Sequence, residues 1–192
     1  MAKLNRGDFR QLQKLKDNLE KLQSADMQKF CQDTSKELAA RLLSLVIPAT
    51  PVGDYSREIT VTAKRDGKRH KKGETYIKRV NTSGKNGGTL RRGWTAKTHL
   101  EAVSGQGRPN VQEITEYAQN LNVAKSGDNY TVEVINPVEY ASYVEYGHRT
   151  PNGKGWVKGQ YFLTDSEAEI ELRAPRIIKK KLDAKLREAF KT

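Results

Sequence analysis

Residues 136–149 read Asn-Pro-Val-Glu-Tyr-Ala-Ser-Tyr-Val-Glu-Tyr-Gly-His-Arg. Tyrosine and valine recur at helical spacing over residues 138–146, which predicts a short helix. Gly147 would end this helix in the left-handed conformation that glycine adopts without strain. We expect one face of the helix to pack against a sheet. The side chains expected in that contact are Tyr140, Tyr143 and Val144.

Helical periodicity also marks both ends of the chain. Apolar side chains at spacings of three and four predict a helix over residues 8–23. These side chains are Phe9, Leu12, Leu15, Leu19 and Leu22. Residues 24–26 offer N-cap side chains for a second helix that Pro48 would stop, so this region forms either two helices or one long kinked helix. A final helix is expected over 164–190, with Pro175 as a kink or as the first position of a separate helix.

The segments between these helices favour strands. Residues 59–62 and 75–80 are β-prone and flank a polar, basic stretch, which predicts a protruding basic hairpin over 55–80. Residues 121–124 and 130–135 flank a Gly-Asp turn and predict a second antiparallel hairpin. A sheet of modest size is therefore expected.

The remaining segments complete the predicted architecture. We expect a strand over 95–100, a short helix over 111–120 and a loop over 147–159. The fold class is α+β, with N-terminal helices, a small antiparallel β-sheet with a long hairpin-like excursion, a short helix and a C-terminal helix. We expect one domain over 1–192, with the basic excursion inserted at about 54–86.

Composition excludes several classes of protein. The chain has 192 residues and a mean hydropathy of −0.81, and none of its apolar runs reaches the ~18 residues of a membrane helix. The N-terminus lacks an apolar signal core, which favours a cytoplasmic product. A single cysteine, Cys31, rules out an internal disulfide framework and a cysteine-based zinc site.

The formal charge of +12 is divided unevenly along the chain. Residues 54–86 carry ten basic and four acidic side chains, and residues 173–192 carry eight and two. Residues 101–171 carry five basic and eleven acidic side chains. A basic total suggests nucleic acid as a partner. The division also fits a second interpretation, in which a basic arm of one subunit lies against the acidic surface of the next.

Motifs for nucleotide, metal and nucleophile chemistry are not found. Residues 147–155 fail as a P-loop, because five residues separate the glycines and a glycine stands where a Ser or Thr binds Mg²⁺. The three histidines share no ligand spacing. Glu145, His148 and Arg149 could do acid–base work, but a salt bridge that braces the turn is the favoured interpretation. We therefore predict no catalytic residue, no metal ligand and no cofactor.

Residues 136–147 resemble the Asn-x-x-x-Tyr-Ala-x-Tyr-Val-Glu-aromatic-Gly signature of phage neck proteins. These are the head–tail joining, or tail-completion, proteins of long-tailed bacteriophages and prophages. A second family stretch is similar to residues 50–53 together with 88–94, split by the basic excursion. A third is similar to residues 159–163. Gly53 and Gly88, with the arginine pair that follows, suit a tight turn entering a strand.

The resemblance implies a non-enzymatic virion structural protein that forms a ring, commonly a hexamer, at the head–tail interface. Its expected partners are copies of itself, the head connector or stopper, and the tail tube or tail terminator, with passive contact to DNA in the lumen and none to membrane. It would assemble in the host cytoplasm and reside in the neck or tail of the virion. The alternatives are a tail terminator ring protein and a basic nucleic-acid-binding protein.

Two sets of residues follow from this interpretation. The expected structural positions are Pro51, Gly53, Gly88, Leu90, Arg91, Trp94, Asn136, Tyr140, Ala141, Tyr143, Val144, Glu145, Gly147, Phe162 and Leu163. The candidate interface positions are Lys64, Arg65, Lys68, Arg69, Lys71, Lys72, Arg149 and Lys154.

Overall fold

The structure is a computed structural model that describes residues 13, 16–17, 20, 25–84 and 87–190. The apolar positions of the helix predicted over 8–23 lie outside the described residues. The four residues of that segment that are described are helical. Residues 21–24 are also outside the described part, so the choice between two helices and one kinked helix stays open.

Two long helices frame the molecule. Helix α1 is Ala25–Ala49 and corresponds to the second predicted helix. It ends one residue after Pro48, the predicted stop. The last helix of the chain, Phe162–Ala189, confirms the predicted final helix and contains Pro175 within one continuous element. It packs along α1. Within the described residues, none of the helices combines the length and the apolar character that crossing a bilayer needs.

Three short helices lie between residues 89 and 119: α2 (Thr89–Gly93), α3 (His99–Ser104) and α4 (Val111–Gln119). Helix α4 confirms the short helix predicted over 111–120. The strand predicted over 95–100 is wrong, because Thr98 acts as a helix cap and its side chain accepts a hydrogen bond from the Glu101 amide. The strand expected after Gly88 is also wrong. Gly88 has φ 88° and leads into α2 instead.

Within the described ranges, the strands form three separate two-stranded antiparallel sheets. Strands β1 (Ser56–Thr62) and β2 (Thr75–Asn81) confirm the predicted basic hairpin. Strands β3 (Val123–Ser126) and β4 (Asn129–Val132) confirm the second predicted hairpin.

The loop predicted over 147–159 is wrong, because it contains the third hairpin. Strand β5 (Gly147–Arg149) pairs with β6 (Trp156–Lys158). Helix α5 (Ala141–Tyr146) confirms the predicted helix before it and ends at Gly147. That glycine has φ 88° and ψ 172°, a combination that glycine adopts far more readily than other residues, and it opens a strand where a left-handed helical conformation was expected. The long C-terminal helix is α6.

One hydrophobic core joins α1, the short helices and the start of α6, and the α+β class is confirmed. Its members are Leu43, Val46, Ile47, Leu90, Trp94, Ala96, Ala102, Ile114, Ala118, Val138 and Phe162. The β1–β2 hairpin contributes nothing to this core. In the described stretch from 51 to 84, each residue is at least partly exposed.

Candidate functional site

The residues of the predicted motifs meet where helix α1 ends. The last carbonyl groups of a helix have no partner within the helix and carry partial negative charge. Arg91 supplies that partner, because its Nη2 donates to the carbonyl oxygens of Thr50 at 2.7 Å and Pro48 at 3.1 Å. Burial of the guanidinium, and then the charge of Arg108, lower the pKa of Arg91. Arg91 thus ties α2 to the end of α1.

Trp94 makes a second link between α1 and α2. Its side chain is 2% exposed, and its Nε1 donates to the Thr50 hydroxyl at 2.7 Å. That hydroxyl in turn donates to the carbonyl oxygen of Val46 at 2.6 Å. The Trp94 ring meets Phe162 edge to face, with 6.2 Å between ring centroids. The indole therefore connects α1, α2 and the start of α6.

Arg92 and Asn136 bind the neighbouring backbone. Arg92 is buried, and it donates through Nε to the carbonyl oxygen of Ala102 at 2.9 Å and through Nη1 to that of Gly87 at 3.1 Å. Asn136 Nδ2 donates to the carbonyl oxygen of Leu90 at 2.8 Å. A side chain at Gly93 would stand 2.2 Å from the amide oxygen of Asn136. Residues 88–94 and 136–138 therefore lie in direct contact.

Glu145 caps helix α6. The carboxylate is 3% exposed and accepts hydrogen bonds from the Leu163 amide at 3.0 Å, the Thr164 amide at 2.9 Å and the Thr164 hydroxyl at 2.7 Å. A helix N-terminus presents free N–H groups and partial positive charge, so a carboxylate is stabilised there. The expected salt bridge to His148 or Arg149 is wrong. In the described part of the chain, both carboxylate oxygens of Glu145 accept hydrogen bonds from the first turn of α6.

Residues 159–161 lie against the end of α5. The Gln160 amide donates to the carbonyl oxygen of Val144 at 2.9 Å, and the Tyr161 amide donates to that of Glu145 at 3.1 Å. A Cβ at Gly159 would stand 2.2 Å from the Glu145 carbonyl oxygen, so only glycine allows this approach. The third motif and the first motif are therefore one packing unit.

Three residues of this unit are not among the expected structural positions: Thr50, Arg92 and Thr164. Thr50 follows a helix-ending proline, and Thr164 stands in the first turn of a helix, where hydroxyl side chains often bind free backbone groups. Their positions at helix ends could have indicated Thr50 and Thr164 from the sequence. The partners of Arg92 depend on the fold, and no local pattern indicates them.

The candidate interface residues fall on two different hairpins. Six of them, Lys64, Arg65, Lys68, Arg69, Lys71 and Lys72, lie in the tip of the β1–β2 hairpin, defined here as residues 63–74. Arg149 and Lys154 are exposed in the β5–β6 hairpin. Among the described residues, none of the six tip side chains forms an ion pair. The tip presents free positive charge.

The tip has internal structure of its own. The His70 ring stacks on Tyr76 with 4.0 Å between centroids, and His70 Nδ1 lies 3.4 Å from a carboxylate oxygen of Glu74. The Lys72 amide donates to the carboxylate of Asp66 at 2.8 Å. A hydrogen bond from the Lys71 amide, and then one from His70, lower the pKa of Glu74. These contacts hold the loop that carries the basic side chains in a defined conformation.

The register of β1 and β2 places four apolar side chains on one face of the hairpin. Val61 stands opposite Tyr76, whereas Ile59 and Val80 occupy the same face opposite Lys78 and Arg57. All four are only partly buried. This face and the tip together are called the arm below.

A second exposed apolar surface surrounds α5 and β6. Five aromatic side chains there are between 39% and 62% exposed. They are Tyr140, Tyr143, Tyr146, Trp156 and Tyr161. We call this set the aromatic face. A cluster of exposed aromatic side chains is typical of protein interfaces.

An acidic groove lies between α3 and α4. It has a volume of about 380 Å³ and is lined by Glu101, Glu113, Glu116 and Tyr117 among others. Burial, and then the charge of Glu101, raise the pKa of Tyr117. Within the described ranges none of the three carboxylates forms an ion pair, and no group of three His, Cys, Asp or Glu is arranged to hold a metal ion.

One comparison with known proteins identifies a relative. The family model described as "Bacteriophage HK97-gp10, putative tail-component" matches residues 13–85 and 75–147. The two matches together span more than half of the chain and overlap on strand β2. No curated protein and no solved structure matches the chain.

Proposed function

The chain belongs to the bacteriophage HK97-gp10 tail-component family, and from that premise we propose that it is a non-enzymatic structural protein that forms a ring of identical subunits at the head–tail interface. The proposed ring is a hexamer. Its other partners would be the head connector or stopper on one side and the tail tube or tail terminator on the other. It would assemble in the host cytoplasm and remain in the neck or tail of the virion.

The arm is the observation that carries this proposal. A two-stranded hairpin is marginally stable in water when nothing covers its apolar face. Here the apolar face holds Ile59, Val61, Tyr76 and Val80, and the tip adds six unpaired cations. The surface of a neighbouring protein would cover the apolar face and neutralise the cations of the tip.

The packing unit around Glu145 supports a role without turnover. Arg91, Arg92, Asn136 and Glu145 are polar side chains of this unit, and each is engaged by backbone groups of a helix end or a turn. Catalytic groups need free atoms that can reach a substrate. These side chains fix helices instead.

The aromatic face supports contact with further virion proteins. It lies on α5 and β6, whereas the arm consists of β1, β2 and their tip. A subunit with two separate exposed apolar surfaces can contact its ring neighbours and an adjoining ring at the same time. DNA in the lumen would contact the ring passively, and no contact with membrane is proposed.

Electron microscopy of a phage lysate that lacks this gene product tests the proposal. Full heads and finished tails that stay separate are the expected result. Overlong tails would assign the chain as a tail terminator instead. The purified protein is expected to sediment as a ring, and a monomer at high concentration together with normal particles would refute the proposal.

The six unpaired tip cations also favour a second candidate, a nucleic-acid-binding protein. A protein that neutralises six phosphates loses DNA affinity with a logarithmic salt slope of roughly −5. Replacing Lys68, Lys71 and Lys72 with glutamine would reduce that slope by about three if they bind phosphates. An affinity for duplex DNA that is independent of salt and of these lysines would remove this candidate.

A further inference from the structure

We propose that the arm of one subunit docks on the acidic groove between α3 and α4 of the adjacent subunit. The inference rests on the proposed ring and deepens it, because it names the two surfaces that meet. One surface is the apolar face and basic tip of the β1–β2 hairpin. The other is the groove lined by Glu101, Glu113 and Glu116.

The two strands set the length of the arm. Each of its strands has seven residues, which extend roughly 23 Å at ~3.3 Å per residue. The tip beyond the strands carries six basic and two acidic side chains, a net charge of +4. The arm therefore delivers an apolar strip followed by a concentrated positive charge.

The groove offers carboxylate oxygens that are open to a cation. Glu113 accepts the Asn110 amide through Oε2 at 2.9 Å, and Glu101 accepts the Lys97 amide through Oε2 at 2.8 Å. Glu116 accepts the Gln112 side chain through Oε1 at 2.9 Å. Each carboxylate uses one oxygen in these bonds. The second oxygen of each has no hydrogen-bond partner among the described residues.

One positive charge also lines the groove. Arg92 belongs to its wall, yet the guanidinium donates to the carbonyl oxygens of Ala102 and Gly87 and to the Thr89 hydroxyl. Three carboxylates and one guanidinium leave the groove negative. A lysine or arginine from outside would gain Coulomb attraction on entering it.

The two helices that line the groove also carry exposed apolar side chains. Leu100 and Val103 on α3 are 77% and 49% exposed, and Val111 at the start of α4 is 77% exposed. The helices α3 and α4 therefore present apolar and acidic side chains, whereas the arm presents apolar and basic ones. The charges of the two surfaces complement each other.

A second copy of this chain is the partner that the geometry favours. Each subunit carries one arm and one groove, which are two different patches, so contacts between copies run head to tail. Head-to-tail contacts of this kind close into a ring when the rotation per subunit allows it. The same contact repeated around the ring would use each arm and each groove once.

Charge reversal tests the contact with two variants. In the tip variant Lys68, Arg69, Lys71 and Lys72 become glutamate, which changes the net charge of the tip from +4 to −4. In the groove variant Glu113→Gln keeps the capping acceptor and Glu116→Lys reverses a charge. Each variant alone is expected to remain monomeric in sedimentation velocity, because its arm and its groove repel each other.

An equimolar mixture of the two variants is expected to restore the wild-type sedimentation coefficient, since each arm then meets a groove of opposite charge. The matched control is Lys179→Glu with Lys180→Glu on α6, which should assemble as the wild type does. A wild-type ring that persists in both single variants would overturn the docking and leave the ring intact. A wild-type chain that never assembles would instead refute the proposed function.

Cross-linking gives a second readout that does not depend on the stability of the reversed variants. In a Cys31→Ser background, Lys71→Cys together with Glu116→Cys should form disulfides between subunits under mild oxidation. A ladder of covalent multimers on a non-reducing gel is the expected result. Monomers alone, from a protein that sediments as a ring, would contradict the docking.

Discussion

At the scale of single residues, the family motif is built from polar side chains that close the ends of helices. Arg91 satisfies carbonyl groups at the end of α1, and Glu145 satisfies amide groups at the start of α6. A cation at a helix C-terminus and an anion at an N-terminus both match the helix dipole. The polar side chains of the motif therefore bind backbone groups at the ends of two helices.

Glu145→Ala is the first test at this scale. It removes a buried carboxylate that accepts three hydrogen bonds and leaves the Leu163 and Thr164 amides unsatisfied, so we expect a loss of about 2–4 kcal/mol in the free energy of unfolding. Glu145→Gln keeps one acceptor oxygen and should lose less. Urea denaturation measures both. Glu139→Ala, at an exposed position in the same segment, is the control, and equal stability of Glu139→Ala and Glu145→Ala would refute the capping role.

Local sequence could predict the elements whose signals are strong within a few residues. The periodic apolar positions of α1, the β-prone runs of β1 and β2, and the Gly-Asp turn between β3 and β4 are of this kind. The region from Thr95 to Leu100 was not predictable in the same way, because Thr98 has high strand propensity and also caps helices. Burial of Ala102 against the core favours the helix.

The candidate site shows the same division. The short helix before Gly147 follows from spacing, but the expected packing of Tyr140 and Tyr143 is wrong, because both side chains are exposed. The partners of Glu145 stand 18 and 19 positions further along the chain. A salt bridge to the nearby Arg149 was the natural local expectation. The first turn of α6 provides amide groups instead, and only the assembled fold brings them to the carboxylate.

At the scale of elements, the junction of α5 with the start of α6 depends on a close backbone approach. An alanine at Gly159 would place Cβ 2.2 Å from the carbonyl oxygen of Glu145, so Gly159→Ala must displace the backbone. We expect it to cost at least about 2 kcal/mol more than Gly153→Ala. Gly153 is the matched control, because its φ is 67° but nothing lies within 4 Å of an added Cβ. Equal thermal unfolding of the two variants would contradict the close approach.

The packing of α1 on α6 should depend on pH. Lys181 forms an ion pair with Glu37, and this hydrogen bond, followed by the one from Arg41, lowers the pKa of Glu37 below its ordinary value of 4.5. Because the folded-state pKa is the lower one, the pair stabilises the fold fully above about pH 4.5, and the stabilisation is lost as the pH falls through the folded value. Lys181→Met should reduce this acid dependence in urea unfolding between pH 3 and pH 7. Lys180→Met is the control, and identical pH profiles for all three proteins would contradict the linkage.

At the scale of the whole molecule, the hydrophobic core and the arm are separable. All the buried residues of the core lie outside residues 51–84. The charges are also separated, because the excess positive charge lies in the arm and the acidic side chains of the groove lie on helices α3 and α4. Folding and assembly should therefore respond to different substitutions.

Removal of the arm tests this separation directly. Ser56 and Asn81 are paired across the base of the hairpin, so a short Gly-Ser linker can replace residues 56–81 without moving the ends apart. We expect the shortened chain to keep the circular dichroism and the thermal midpoint of its helical core within a few degrees, because no buried side chain is lost. The same chain should sediment as a monomer, since the surface that contacts its neighbour is gone. A shortened chain that still forms the ring would show that assembly relies on other surfaces such as the aromatic face, whereas a shortened chain that fails to fold would show that the arm belongs to the folding unit.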